Sequence, residues 1–205
     1  MGISLRQFEQ MKERLGHRPA RTAARSDITI PVVPVTKTGS RTVLGIDPSL
    51  RGTGYGIIRV SRGATVALVH GTIACPKDWP QSRCLANICQ MLRDVLQSHQ
   101  VDICVVEGLF FAQNLKTAIV MGAARGAAIA TVAGAGLDIY EIAPRKVKQA
   151  IVGHGAAQKF AVAKMVQRML SLAELPAPDA ADALALALAF AQETTRYNLS
   201  PPKKI

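Results

Sequence analysis

Four carboxylates in this 205-residue chain stand where a sequence would place metal ligands. Asp47 ends the apolar run from Thr42, Glu107 ends the apolar run from Val101, and Asp179 and Asp182 open an Ala/Leu-rich stretch. Residues three apart share one side of a helix, so the last pair project together from its first turn. If the two runs are neighbouring strands and the helix covers their ends, the four acids meet. Left alone they would repel, and some would be held protonated. Divalent cations relieve that conflict, and an all-oxygen set suits Mg²⁺ or Mn²⁺ better than zinc. Two such ions about 3.5–4 Å apart can activate a water and stabilise the leaving oxygen of an in-line phosphoryl displacement. Taken singly, each acid has an ordinary explanation: a turn before Pro48, a strand end at Glu107, an N-cap at Asp179, a first-turn acid at Asp182. Those explanations do not account for two buried-type strands that both end in acids. Spacing alone goes no further than a candidate metal nuclease.

The elements that must position these acids follow from hydrophobic periodicity. Thr42–Asp47, Gly54–Ser61 and Thr65–Ala74 read as three successive strands, an antiparallel meander. Ser82–Gln97 has apolar residues at helical intervals, Val101–Glu107 is a fourth strand, and Asn114–Ala135 is a long helix of small residues. Leu137–Ile142 is a fifth strand, Pro144–Ile151 a short helix opened by proline, and Ala156–Leu172 and Asp179–Gln192 are helices. This order predicts an α/β layered domain, a mixed five-stranded sheet covered by helices.

Charge narrows the partner. The chain carries a formal net charge of +11 and 49% hydrophobic residues, so it folds and it attracts polyanions. Nucleic acid is the commonest of these. A membrane surface is the rival, but no basic amphipathic helix or lipid signal supports it, and Arg6 stands where a myristoylation signal needs Ser or Thr. The apolar stretch Thr117–Leu137 carries Arg125 near its middle, which reads as a packed helix and not a span. Cys75, Cys84, Cys89 and Cys104 show neither a Cys-x-x-Cys pair nor His at ligand spacing, and read as small hydrophobes in a reducing compartment.

The string Gly45-Ile-Asp47-Pro-Ser-Leu-Arg-Gly-Thr-Gly-Tyr-Gly56 strongly resembles the opening motif of RuvC-type Holliday junction resolvases. Val106-Glu107-Gly-Leu-Phe110-Phe-Ala-Gln-Asn114, Gly122-Ala-Ala-Arg125-Gly126, Pro144-Arg-Lys-Val-Lys148-Gln149 and Asp179-Ala-Ala-Asp182-Ala-Leu-Ala185 resemble the remaining blocks in the same order, covering about residues 42–191. The resemblance implies a ribonuclease-H-like fold and a crossover junction endodeoxyribonuclease acting in DNA recombination and repair. It implies a homodimer on four-way junction DNA that leaves 5′-phosphates, with two Mg²⁺ (or Mn²⁺) per site on Asp47, Glu107, Asp179 and Asp182. It implies that Lys148 and Lys159 lie near the scissile phosphate and that Phe110 stacks on a base at the opened junction. Arg145 and Lys146 belong with them as DNA contacts, since the stretch from Ile142 to Leu172 holds six basic residues and no acid. Arg125 and Gly126 fall on the helix that serves dimerisation in the family. A branch-migration helicase complex and the bacterial cytoplasm are the expected partner and location. A related nuclease acting on structured RNA or flaps, and a non-catalytic junction-binding module, are the alternatives.

Three departures stand out. Ser49 replaces the glycine usual after Asp-Pro, Gln113 stands where lysine is frequent, and residues 1–40 have no counterpart in the compact enzymes. That basic extension reads as a short helix followed by a linker, residues 41–195 as the nuclease domain, and 196–205 as a basic tail. His154 lies between two glycines, where it either assists near the phosphate or is an ordinary loop residue.

Overall fold

The computed structural model describes residues 39–108, 114–195 and 202–205. The expected N-terminal helix and linker, Phe110 and Gln113 lie outside them. Strands β1 (Ser40–Asp47), β2 (Gly52–Ser61) and β3 (Ala64–Ala74) form the expected antiparallel meander. Helix α1 (Gln81–Ser98) leads to β4 (Ile103–Glu107), α2 (Leu115–Gly134) and β5 (Asp138–Ile142). Then come α3 (Pro144–Val152), α4 (Lys159–Met169), α5 (Pro178–Thr195) and a two-residue strand, β6 (Lys203–Lys204).

The sheet order is β3-β2-β1-β4-β5-β6, with β1, β4 and β5 parallel and the others antiparallel to their neighbours. Five strands were legible, and the described residues form six. Two lysines carry no hydrophobic alternation, so β6 is invisible to pattern. Backbone pairing with Tyr140 and Glu141 makes it, helped by the 2.8 Å ion pair between Lys204 and Asp138.

Alternation along the strands divides the interior in two. Val43, Ile58, Val105 and Ile142 face α3, α4 and α5, and Tyr140 meets Phe190 at a ring distance of 5.0 Å. Leu44, Ile46, Ile57, Cys104 and Val106 face Ile88, Leu92, Ala124, Ala128 and Val132 of α1 and α2. Asp47 and Glu107 have the parity of the first set, so both turn toward the α5 side. Helix α2 is long and apolar enough to cross a bilayer by composition, yet its inner face is buried on this core. The cysteines are free, and Cys75, Cys84 and Cys104 are buried.

Candidate active site

Register brings the first two acids together. β1 and β4 run parallel with Ile46 beside Val106, so the next residues, Asp47 and Glu107, are neighbours at the C-terminal edge. Helix α5 supplies the other two because the strands beneath it carry glycine where it crosses them. A Cβ at Gly45 would lie 1.9 Å from the carbonyl oxygen of Ala183, and one at Gly54 would lie 1.9 Å from that of Asp179. No side chain fits such gaps, so glycine there lets the helix backbone rest on the sheet. The Asp179 carboxylate then hangs over Gly52, whose added Cβ would meet Oδ2 at 2.7 Å.

The electrostatics follow from that crowding. Burial and the nearby charge of Asp182 raise Asp47 above the usual carboxylate range. Burial, then the charge of Asp47 and a hydrogen bond to it, push Glu107 up to about 7. Where Glu107 carries its proton, below about pH 7, it donates to Asp47. Asp182 instead holds Lys159, whose Nζ lies 2.6 Å from Oδ2. That bond raises the lysine's pKa against its partial burial. Among the described residues no three acidic, His or Cys side chains stand ready to grip an ion as they are. A proton on Glu107 and an ammonium on Asp182 occupy those oxygens, so positive charge already sits where the carboxylates need it. The all-oxygen donor set fits a hard divalent cation that would replace both.

The basic residues divide by position. Lys159 begins α4, at the positive end of the helix dipole, where a cation is unfavourable unless an anion joins it. Helix α3 begins likewise with Pro144, Arg145 and Lys146, beside Gly108, the residue after Glu107. Lys148 lies one turn further on, half-buried. Arg145 packs its side chain over Gly155 in the loop before α4. Lys146 turns toward the C-terminal part of α5, where its charge acts on Glu193, away from the carboxylates. His154 is exposed in the loop after α3.

Two supports escape sequence reading. Arg125 of α2 is only 7% exposed and reaches through the other face of the sheet. It donates to the main-chain carbonyl of Glu107 and, at 2.5 Å, to Oε2 of Glu141 on β5. The sequence marked it as a cation amid an apolar stretch and as part of a family motif, but not as a support for the site. Arg51 ties the loop after Asp47 to the β3–α1 connection, donating to the carbonyls of Pro76 and Trp79. Ser49 fits its turn without strain: Thr53 donates to its carbonyl at 2.6 Å and accepts from its N–H at 3.2 Å.

Residues 43–190 match the family model of the crossover junction endodeoxyribonuclease RuvC. The chain belongs to the RuvC family. A RuvC from Syntrophomonas wolfei is 44% identical over 147 residues, covering 71% of this chain and 86% of that protein. RuvC of Thermotoga maritima is 40% identical across 80% of this chain and 99% of its own. The structure of Thermus thermophilus RuvC in complex with Holliday junction substrate superposes with a TM-score of 0.73 at 32% identity, over 80% of this chain and 99% of that one. The yeast mitochondrial Holliday junction resolvase Ydc2, 11% identical with a TM-score of 0.54, shares the fold. The RuvC sheet and its helices are therefore the ribonuclease-H-like architecture that the motifs implied.

Proposed function

We propose that this chain is a homodimeric endonuclease that resolves four-way DNA junctions, hydrolysing one phosphodiester in each of two opposed strands. The observation that carries this reading is the meeting of Asp47, Glu107, Asp179 and Asp182 at one sheet edge in a RuvC-family chain. Those four acids would hold two Mg²⁺, with Mn²⁺ as substitute. The ions would supply charge neutralisation and a lowered water pKa for an in-line displacement that leaves a 5′-phosphate.

The protein's own part is positioning. To hold such ions Glu107 would release its proton to solvent and Asp182 would let go of its lysine. Lys159, released, takes the scissile phosphate, and Lys148 and Arg145 hold the backbone beside it. Phe110, in the segment after Glu107, is the candidate for stacking on an unpaired base. Pairing of two copies suits the two-fold symmetry of a junction. The outer face of α2 supports it: Leu115 is 76% and Ile119 61% exposed, and Gly122 and Gly126 have open space above them. On this reading the protein would work on chromosomal DNA in the bacterial cytoplasm, with a helicase complex that moves junctions as its partner.

The test is purified protein on a synthetic four-way junction, with Mg²⁺ or with chelator. Symmetric, ligatable nicks that need the metal are expected. Binding without nicks, or equal cutting of linear duplex, overturns the proposal.

A further inference from the structure

Helix α4 leads away from the carboxylates with an outer face built for an anion. Val162, Ala163 and Val166 face inward and are buried. Outward, Phe160, Lys164 and Arg168 follow at four-residue intervals and so form one line on the helix. Phe160 is 63% exposed, and Lys164 Nζ lies 5.5 Å from its ring centroid. Lys164 and Arg168 also flank an open cleft of about 550 Å³ that continues through Gln167, Ser171 and Leu172. From Ile142 to Ala173 the chain has no acid, so nothing on α3, α4 or their connections neutralises this line.

We propose that the outer face of α4 binds the sugar–phosphate backbone of a duplex arm next to the cleavage point, Lys164 and Arg168 each meeting a phosphate and Phe160 a deoxyribose. The inference rests on the junction reading above and extends it beyond the catalytic edge. Continuity selects the occupant. Lys159, at the head of the same helix, is bonded to Asp182. DNA seated at that point lies at the head of α4, and the adjoining arm can extend along the helix. At about 1.5 Å per residue, Lys164 and Arg168 lie roughly 8 and 14 Å beyond Lys159. At about 3.4 Å per base pair, that span reaches phosphates roughly two to four steps from the cut. Contacts of this kind fix register and affinity without reading sequence.

The experiment compares the full chain with its K164A/R168A variant on an immobile four-way junction, measuring affinity across a salt series. Because each neutralised phosphate contributes about 0.9 to the slope of log affinity against log salt, the variant should lose about 1.8 of slope. Its affinity near 150 mM salt should be about 10- to 30-fold weaker. A second arm places uncharged methylphosphonates at the second to fourth phosphates from the cut. The wild type should weaken on that junction, and the variant should lose little more. An unchanged slope in a variant that melts like the wild type overturns the proposal while leaving the resolvase reading in place. So does a variant penalty that persists in full on the neutralised junction, because it places the lysine and arginine elsewhere. Failure of the wild type to bind any junction removes both.

Discussion

Gly54 lies directly beneath the main-chain carbonyl of Asp179, so close that a Cβ on Gly54 would stand 1.9 Å from that oxygen. Asp47 is the residue opposite Gly54 across the β1–β2 ladder. The glycine thus sets the height of α5, and through it the distance between the helix acids and the strand acids.

Gly54→Ala tests that relationship. The obstacle is backbone, which cannot rotate away, so the helix must lift or the sheet must bend. Overpacking of this kind costs about 1–3 kcal/mol, and the upper end is expected here. Urea unfolding should show the loss. Cleavage should fall further than stability explains, because the carboxylates part. An alanine variant with unchanged stability and activity would show that the helix seat is not glycine-dependent.

Asp47→Asn and Asp182→Asn separate binding from cutting. Each removes a negative charge from a site that must approach phosphate, so junction affinity should hold or rise. Losing several kcal/mol of metal-based stabilisation corresponds to roughly a thousand-fold slower cleavage or more. Single-turnover rates at saturating protein are the measurement. Retained cutting in Asp47→Asn would refute the assignment of that residue as a ligand.

The pH dependence of the metal-free protein has a definite sign. Burial and Asp47 hold Glu107 near pH 7 in the fold, against an ordinary value of 4.5. The folded state therefore keeps a proton that the unfolded chain releases between those values. Stability falls as pH rises through that window, and the loss is complete above about 7. In chelator, the melting temperature should be higher at pH 5.5 than at pH 8. Glu107→Gln should flatten the trend, and added Mg²⁺ should stabilise the wild type more at pH 8 than at pH 5.5. A Glu107→Gln variant that keeps the whole slope would assign it to other groups.

Much of this site was legible before any coordinates. Apolar runs closing on Asp47 and Glu107, and an Ala/Leu helix opening on Asp179 and Asp182, are local patterns with strong periodicity. That the two strands pair in parallel beneath the helix was only a condition in the sequence, and the register of β1 against β4 supplies it. Helix ends were less legible: the stretch Ala156–Leu172 has helical spacing throughout, yet α4 starts only at Lys159, since residues 156–158 serve the turn from His154. Local pattern also cannot show contacts made by one residue across the sheet. Arg125 reads as an odd charge in a dimerisation helix, and only packing reveals that it holds the carbonyl of Glu107 from behind. Lys146 looked equivalent to Lys148 in sequence, but two residues along a helix turn the side chain by more than half a circle, toward Glu193.

Arg125→Met should expose that hidden support. It leaves the Glu107 carbonyl and Glu141 without a charged donor, and hydrogen bonds to charged groups contribute about 1.5–3 kcal/mol each. With Glu141 partly solvated, a net loss of about 2–3 kcal/mol is expected in urea unfolding. Calorimetric titration with Mn²⁺ should show weaker binding at temperatures where the variant is fully folded, because the end of β4 is less firmly held. Arg125→Lys, which keeps the charge and one contact, should recover part of both. Normal Mn²⁺ affinity in a destabilised variant would confine Arg125 to a packing role.

The outer face of α2 carries a helix seam of its own. Leu115, Ile119, Gly122 and Gly126 follow a four-three-four spacing, the period of a helix seam. They lie opposite the buried Ala124, Ala128 and Val132, so the seam is separate from the core. Two exposed aliphatic side chains followed by two glycines let a second helix approach closely along its length. Ile119→Asp puts a charge in the middle of that seam at a side chain that is largely exposed. The variant should sediment as a monomer and melt in a cooperative transition of its own. On a plasmid bearing an extruded cruciform, paired cuts by a dimer give linear DNA, whereas independent cuts give nicked circles first. The wild type should therefore yield linear product directly, and Ile119→Asp should accumulate nicked circles. Unaltered sedimentation together with direct linear product would move the dimer contact to another face.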